Sequence, residues 1–360
     1  MLSAIDQAYC KALNIFNPYA SQKYRLNKNI PKLDIRAFNE NPRYQFVYDK
    51  LFIAKSQGME CGTLEELLAS PEKAEYPLFI KPRYGHLSAS SKDCYKIRAP
   101  EELQKYSGKQ NMMWSEFVNA TEGMTDFVLI NGEIVYQLSY VYSDAQNGFS
   151  DVWKLISPES TPPETIVEWV DKHMGGYTGP LNIQYRATKI IEVGMRFARG
   201  GMYLESTDNK ALIDAINDMW KTKTWNHKDP EKLSFKPFYS FKCWSPIPLI
   251  YIFPQHFMDT AMKYIPSMPF YEYYFEPTGS HSLVFFQFLA RDFEKSMQMK
   301  RVLETLMVGA NLVLVALLVI GILSRNSTVL WICAGMFATM MINSLEILQG
   351  MVKHQAQFLR

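Results

Sequence analysis

Between residues 305 and 324 the chain runs for twenty residues without a charge, as TLMVGANLVLVALLVIGILS. A helix of that length is about 30 Å long at ~1.5 Å per residue, the thickness of a bilayer's hydrocarbon core. Such a segment has to be buried, in lipid or in protein. After Arg325-Asn326-Ser327 a second uncharged run follows over residues 328–345, shorter and richer in Met, Ala and Gly. Two runs with a three-residue connection predict a helical hairpin. Arg291, Lys295, Lys300 and Arg301 precede it and Lys353 and Arg360 follow it, against Arg325 alone at the turn. The positive-inside rule then puts both ends on the cytoplasmic side. We expect a transmembrane hairpin over 303–352 and a cytoplasmic tail over 353–360. At helical rise Asn311 and Asn343 fall ~21 Å and ~24 Å from the turn, at depths where they can hydrogen-bond. The alternative is a buried helical hairpin in a soluble core.

The remainder reads as a globular, reduced protein. Of the 360 residues 48% are hydrophobic and 21% charged, and the net charge of +2 is too small to draw a nucleic acid or an acidic partner. Cys10, Cys61, Cys94, Cys243 and Cys333 lie far apart, with no CxxC and no His at ligand spacing, which argues against a disulfide frame or a zinc site. The first sixteen residues carry an acid and a lysine inside their apolar stretch and make a poor signal peptide.

Periodicity places helices at 43–57, 63–70, 163–173 and 206–220. Strands are expected at 78–81, 112–118, 126–130, 134–142, 181–185 and 189–193, and further on at 238–244 and 282–288. Asn131-Gly132 between two alternating runs is a strong hairpin signal. Residues 220–237 are polar and Lys-rich, a surface crossing. From Asp292 one helix is expected to run into the first apolar segment.

Three stretches carry chemistry. In YPLFIKPRYGHLSASS, residues 76–91, a strand delivers Lys81 to a turn of small residues, whose backbone N–H groups and ammonium make a phosphate cradle. A Lys-Pro there is also an ordinary strand end. In WSEFVNATE, residues 114–122, a strand runs into a connector whose backbone can meet an adenine edge, with a carboxylate beyond it for ribose hydroxyls; a solvated acidic strand end reads the same way. In GPLNIQYR and IIEVGMRFARGG, residues 179–186 and 190–201, two strands joined by a tight turn carry Gln184 and Glu192 as oxygen donors and Arg186, Arg196 and Arg199 as cations. Hard oxygen ligands opposite arginines suit Mg²⁺ and a triphosphate. Surface ion pairing is the bland alternative.

In this order and spacing, the three stretches resemble the ATP-grasp superfamily, which includes D-alanine–D-alanine ligase, biotin carboxylase, carbamoyl phosphate synthetase and the L-amino-acid ligases. The resemblance covers about 41–205 and, more faintly, the chain to 307. It implies an α+β fold, two α+β lobes clamping a nucleotide, here followed by the two-helix hairpin. The ATP-grasp domain would span 41–302, with a phosphate-loop lobe over 76–118 and a metal-binding lobe over 119–302, after a short N-terminal segment, 1–40. Lys81 looks like the family's strand lysine on the phosphates, and Lys50 is similar to its earlier lysine. Gly85, Ser88 and Ser90 fall in what resembles the mobile phosphate loop. Glu116 and Val118 sit where the hinge meets adenine, and Glu122 where a carboxylate holds the ribose. Gln184 and Glu192 match metal-ligand positions, and Arg196 matches the arginine that steadies the transferring phosphate. ATP and Mg²⁺ are thereby implied.

The chain departs from the pattern in three ways. Its loop has one glycine where the family shows two or three. Gly194 replaces a metal-ligating Asn, which water or Asn182 would have to replace. The segment before Asn41 is short for the family's N-terminal substrate domain.

The implied activity is a membrane-anchored, ATP-dependent ligation of a small carboxylate to an amine through an acyl phosphate, with the catalytic domain cytoplasmic and the bilayer as a partner. No protein nucleophile is needed, in keeping with the lack of a Ser-His-Asp or Cys-His pattern. A nucleotide-binding pseudoenzyme acting as a membrane scaffold and an ATP-grasp kinase are the alternatives. His86 reads as a solvated loop residue, and changes at Tyr140 or Cys94 are expected to do little.

Overall fold

The structure is a computed structural model that describes residues 26–87, 93–142, 153–227, 229–245, 267–277, 283–323, 327–336 and 338. Ser88 and Ser90 of the expected phosphate loop, and residues 337 and 339–345 of the second apolar run with Asn343 among them, lie outside the described residues. The chain divides into two compact units, one holding the described residues up to 142 and from Lys154 to Pro237, the other Trp153 and those from Phe238 onward.

The first unit begins with a short helix, α1 (Asp34–Glu40), and a 3-10 turn over Pro42–Tyr48. The single helix expected over 43–57 is broken here for a local reason. Asp49 leaves helical conformation, and its side chain accepts from the Leu51 N–H, capping a separate helix, α2 (Lys50–Ser56). Next come β1 (Cys61–Thr63) and α3 (Leu64–Ala69), the latter started by a reciprocal Thr63–Glu66 capping box. With β2 (Leu78–Pro82), β3 (Tyr95–Ile97) and β4 (Met112–Glu116), β1 makes an antiparallel sheet in the order β1-β4-β2-β3. Leu64, Leu67, Leu78, Ile80, Ile97, Leu103 and Met112 form its core.

A second antiparallel array, β7-β6-β5-β8-β9, is built from β5 (Glu122–Ile130), β6 (Glu133–Tyr142), β7 (Trp153–Ser157), β8 (Gly179–Arg186) and β9 (Lys189–Gly194). The Asn131-Gly132 hairpin forms as expected, with both residues left-handed at φ 52° and 91°. The array has two unlike faces, since alternate side chains point opposite ways. One face puts Phe127, Leu129, Leu181, Ile183 and Val193 into a core with Ile166, Trp169 and Val170 of α4 (Glu164–His173). The other carries Glu122, Met124 and Asp126 on β5, Asn182, Gln184 and Arg186 on β8, and Glu192 and Gly194 on β9. A sheet that puts this many polar groups on one face is shaped for a ligand. Another helix, α5 (Lys210–Thr222), starts four residues later than expected, because Asn209 takes the cap and accepts from the Leu212 N–H.

In the second unit β10 (Phe238–Ser245), β11 (Ser267–Pro277) and β12 (Leu283–Ala290) pair antiparallel in the order β11-β12-β10. A 31-residue helix, α6 (Phe293–Leu323), follows and contains residues 305–323 of the first apolar run. It is long and apolar enough to cross a membrane, and Leu312, Val313, Val319, Ile320, Ile322 and Leu323 on it are exposed. The described part of the second run is a shorter apolar helix, Ser327–Met336. It doubles back closely, for a Cβ at Gly321 would stand 3.2 Å from that of Cys333. Among the described residues, then, one helix rather than the expected two is long enough to span a bilayer. Asn311, expected to bond Asn343, donates its Nδ2–H to the Met307 carbonyl at 2.8 Å.

Candidate functional site

Lys50, Lys81, Gly85 and Glu192 come from four separate elements and converge at one place in the first unit. Lys50 opens α2. Its backbone N–H donates to the Arg83 carbonyl at 2.9 Å, and the Arg83 guanidinium grips the Asp49 cap at 2.9 and 2.6 Å. The Lys50 ammonium, on a residue only 5% exposed, lies 3.4 Å from the Glu192 carboxylate. Lys81 leaves β2 and donates to the Ile191 carbonyl of β9 at 2.9 Å, so the small sheet is tied to the edge of the large one beside Glu192. Gly85 lies against the same groups: a Cβ there would be 3.5 Å from Glu192 Oε1 and 3.6 Å from the Lys50 side chain.

Two ammonium groups share this small space. Burial, and after it the Lys50 charge, pushes the Lys81 ammonium down to about 8, with Glu192 acting the other way. A cation held at that cost beside a second one is a place for an anion carrying several charges.

The oxygen donors line up on the polar face. Gln184 and Glu192 are directly opposed across β8 and β9, which sets their Cβ atoms roughly 5 Å apart on one face. Glu122 pairs with Arg186 at 3.3 Å, and its charge also acts on Lys81. Glu116 closes β4, and Val118 just beyond it packs against Leu51, Ala54, Met59 and Met113. That donor set fits one Mg²⁺. Glu192 and Gln184 offer two hard oxygens, leaving further positions for phosphate oxygens and water. Gly194 offers none. Asn182, the expected substitute, is turned elsewhere: its Nδ2–H donates to Asp126 at 2.8 Å and its Oδ1 accepts from Arg196 at 3.4 Å.

Arg196 follows β9 and is held by the protein. Its Nε–H and Nη2–H donate to Asp34 Oδ2 at 3.1 and 2.8 Å, and Nη1 points to Asn182 Oδ1 and the Phe197 carbonyl, both at 3.4 Å. Behind it the buried Asp126 carboxylate accepts from the Ala198 N–H at 2.8 Å, from Asn182 and from the Tyr140 hydroxyl. Burial pushes this carboxyl up to about 6 against the pull of those bonds.

Several of these contacts were not anticipated. Tyr140, expected to tolerate change, is fully buried and serves Asp126. Cys94 interacts electrostatically with Lys50, Glu192 and Lys81, so it borders the site. His86 is no solvated loop residue; it stacks on Phe38 at 3.7 Å and meets Tyr48 edge-on. Lys154 on β7 is buried, with its ammonium 3.6 Å from the Tyr142 ring and 3.9 Å from Met124 Sδ. Asp34 stood outside every motif. Only the pairing of distant strands reveals such groups, although a Lys alternating into a β-rich run was a signal for Lys154.

No protein-family model matches the chain. Its sequence is similar to the multifunctional protein pyrABCN of Emericella nidulans, 24% identical over 211 residues, covering 51% of this chain and 9% of that protein. The multifunctional protein URA2 of Saccharomyces cerevisiae is 26% identical over 192 residues, covering 48% of this chain and 8% of that one. The chain thus spans less than a tenth of the length of the curated relatives it matches. In structure it is similar to an L-amino acid ligase from Bacillus licheniformis, at 16% identity and a TM-score of 0.50, covering 72% of this chain and 71% of that one. It is similar also to phosphoribosylamine–glycine ligase from Thermotoga maritima, at 14% identity and a TM-score of 0.50, covering 76% and 83%. At such identities the likeness is one of fold: the chain has the α+β ATP-grasp fold of these ligases.

Proposed function

We propose that this protein is an ATP-dependent ligase that joins a small carboxylic acid to an amine at a membrane surface. The observation that carries the reading is the meeting of Lys50, Lys81 and Glu192, brought from three parts of the chain to one point beside the polar face of a sheet. Two buried ammonium groups next to a carboxylate and an amide oxygen are what a magnesium triphosphate needs.

In this reading Lys50 and Lys81 hold the phosphates, with Gly85, Ser88 and Ser90 as the further phosphate-binding residues. Glu116 and Val118 border the adenine, and Glu122 takes the ribose hydroxyls. Glu192 and Gln184 hold Mg²⁺, which supplies charge neutralisation for the phosphate oxygens. A carboxylate oxygen of the acid attacks the γ-phosphorus, the bond to the β-phosphate oxygen breaks, and ADP departs. The amine nitrogen then attacks the acyl carbon, inorganic phosphate leaves with the C–O bonding pair, and the nitrogen gives its proton to water. Protein catalysis here is positioning and charge neutralisation, with Arg196 beside the transferring group. The N-terminal 1–40, the nucleotide-binding 41–302 and the hairpin 303–352 are the working division, with both ends of the hairpin and the catalytic domain cytoplasmic.

The test is release of ADP and phosphate by the full-length protein in lipid nanodiscs, with ATP, Mg²⁺ and pairs of amino acids. Turnover that needs both an acid and an amine supports the ligase. Product phosphorylation without any amine would make it a kinase, and ATP binding without turnover on any pair would make it a scaffold.

A further inference from the structure

Arg196 has most of its hydrogen-bonding capacity in use, and the group using most of it comes from outside the sheet. Asp34, the first residue of α1, takes both Nε–H and Nη2–H on one carboxylate oxygen. Its other oxygen accepts from the Tyr48 hydroxyl at 3.2 Å, and that hydroxyl accepts from the Met195 N–H at 2.9 Å. Burial, and then the Asp34 charge, keeps the Tyr48 hydroxyl firmly protonated, so it serves as a fixed donor to Asp34. The remaining link is steric. An ideal Cβ on residue 194 would stand 2.6 Å from Asp34 Oδ1 and 3.8 Å from Arg196 Cζ. No side chain at 194 fits while Asp34 is in place. Three successive residues, Gly194, Met195 and Arg196, are therefore adapted to one carboxylate 160 residues away in the chain.

We propose that Asp34 is a positioning residue that sets the Arg196 guanidinium for the anion bound beside it, and that residue 194 is glycine in order to admit it. This rests on the ligase reading only for what the anion is. Asp34 occupies one edge of the guanidinium and cancels much of its charge, so Arg196 meets an incoming oxyanion with the N–H left over on Nη2, at an angle fixed by Asp34 and Asn182. The same helix places Phe38 on His86, where the phosphate loop begins. Segment 26–40 is in this way part of the site rather than a leader to it.

The experiment is a double-mutant cycle on the full-length protein in nanodiscs, with Asp34→Ala, Gly194→Ala and the pair, and Asp34→Asn as the isosteric control. Two readouts are needed: labelling of Arg196 by phenylglyoxal, mapped by mass spectrometry, and ADP release. Each single change should raise Arg196 labelling about tenfold, and the pair should label no faster than Asp34→Ala alone. Asp34→Asn should lower kcat about tenfold or more while the KM for MgATP stays within about twofold, a split that general loss of folding does not give. Additive labelling effects, or parental labelling in Asp34→Ala, would overturn the proposal. So would Asp34→Asn with parental kcat. If the parent itself shows no turnover, the ligase reading fails, and the labelling cycle alone decides the role of Asp34.

Discussion

Replacing Lys81 by Met should leave the apoprotein as stable as the parent, or slightly more so, while removing its response to nucleotide. The change keeps the length and volume of the side chain and deletes its charge. Displacement of the ammonium from 10.5 to about 8 corresponds to roughly 3 kcal/mol of disadvantage for the charged end, at ~1.36 kcal/mol per pKa unit. Burial and the Lys50 charge account for it, and both penalties vanish in the variant. Against this stands the loss of the bond to the Ile191 carbonyl, about 1–3 kcal/mol for a buried acceptor left without its donor. The balance lies between about zero and 2 kcal/mol in favour of Met. For a unit of this size that is a rise of up to roughly 8 °C in melting temperature, at ~2–4 °C per kcal/mol. MgATP at a hundred times its Kd should stabilise the parent by about 2.7 kcal/mol and the variant hardly at all. Differential scanning fluorimetry at pH 7 measures both. A variant that melts more than about 5 °C lower and still responds fully to MgATP would mean that Lys81 is a structural tie between the sheets and no phosphate ligand.

Other outcomes follow from the same geometry. Glu192→Gln should abolish the difference between MgATP and metal-free ATP in a melting assay and lower turnover by about a hundredfold; an unchanged magnesium dependence would remove Glu192 as a ligand. Nucleotide affinity should fall as pH rises from 7 to 9, since Lys81 goes from about nine-tenths protonated to about one-tenth. Stability runs the opposite way. Between about pH 8 and 10.5 the native state binds fewer protons than the unfolded chain, so this group makes the apoprotein more stable as pH rises, and calorimetry on Lys81→Met should lack that rise. Tyr140→Phe should cost about 1–3 kcal/mol in urea unfolding, because the buried Asp126 loses a donor. Truncation after Arg301 should release the protein from liposomes; flotation with the vesicles regardless would place membrane attachment elsewhere.

The fold was legible where the sequence signals are local. The Asn131-Gly132 turn, the strand carrying Lys81 and the facing runs around Gln184 and Glu192 all stand where their patterns put them. The errors fall where a single side chain overrules a periodicity. Asp49 and Asn209 cap helices at points where apolar spacing alone continues or anticipates them. Strands of three residues, such as β1 and β3, are too short to show alternation. At the site, Lys81 and Glu192 were readable because each sits in a stretch with its own chemistry, while Lys50 was readable through the family resemblance alone. Asp34 and Asp126 were not, since their roles come from pairing across 162 residues with Arg196 and across 56 with Asn182. Gly194 was visible as an absence; what fills the space could only come from coordinates.

The helix that bears Lys50 is strapped to the strand that bears Glu192 at both ends. At its start the two side chains meet directly, and at its finish Gln57 clasps Ile190, donating to its carbonyl at 2.9 Å and accepting from its N–H at 2.6 Å. Helix and strand must therefore travel together in any breathing of the first unit. A nucleotide entering beside them would find a rigid floor, to which β2 and the turn at Gly85 are joined by the Lys81 bond to Ile191, by the Lys50 N–H to the Arg83 carbonyl and by the Arg83 grip on Asp49. Of these ties the Lys81 bond alone comes from a side-chain ammonium, so it is the one a phosphate would replace while the backbone anchor at Arg83 stays in place.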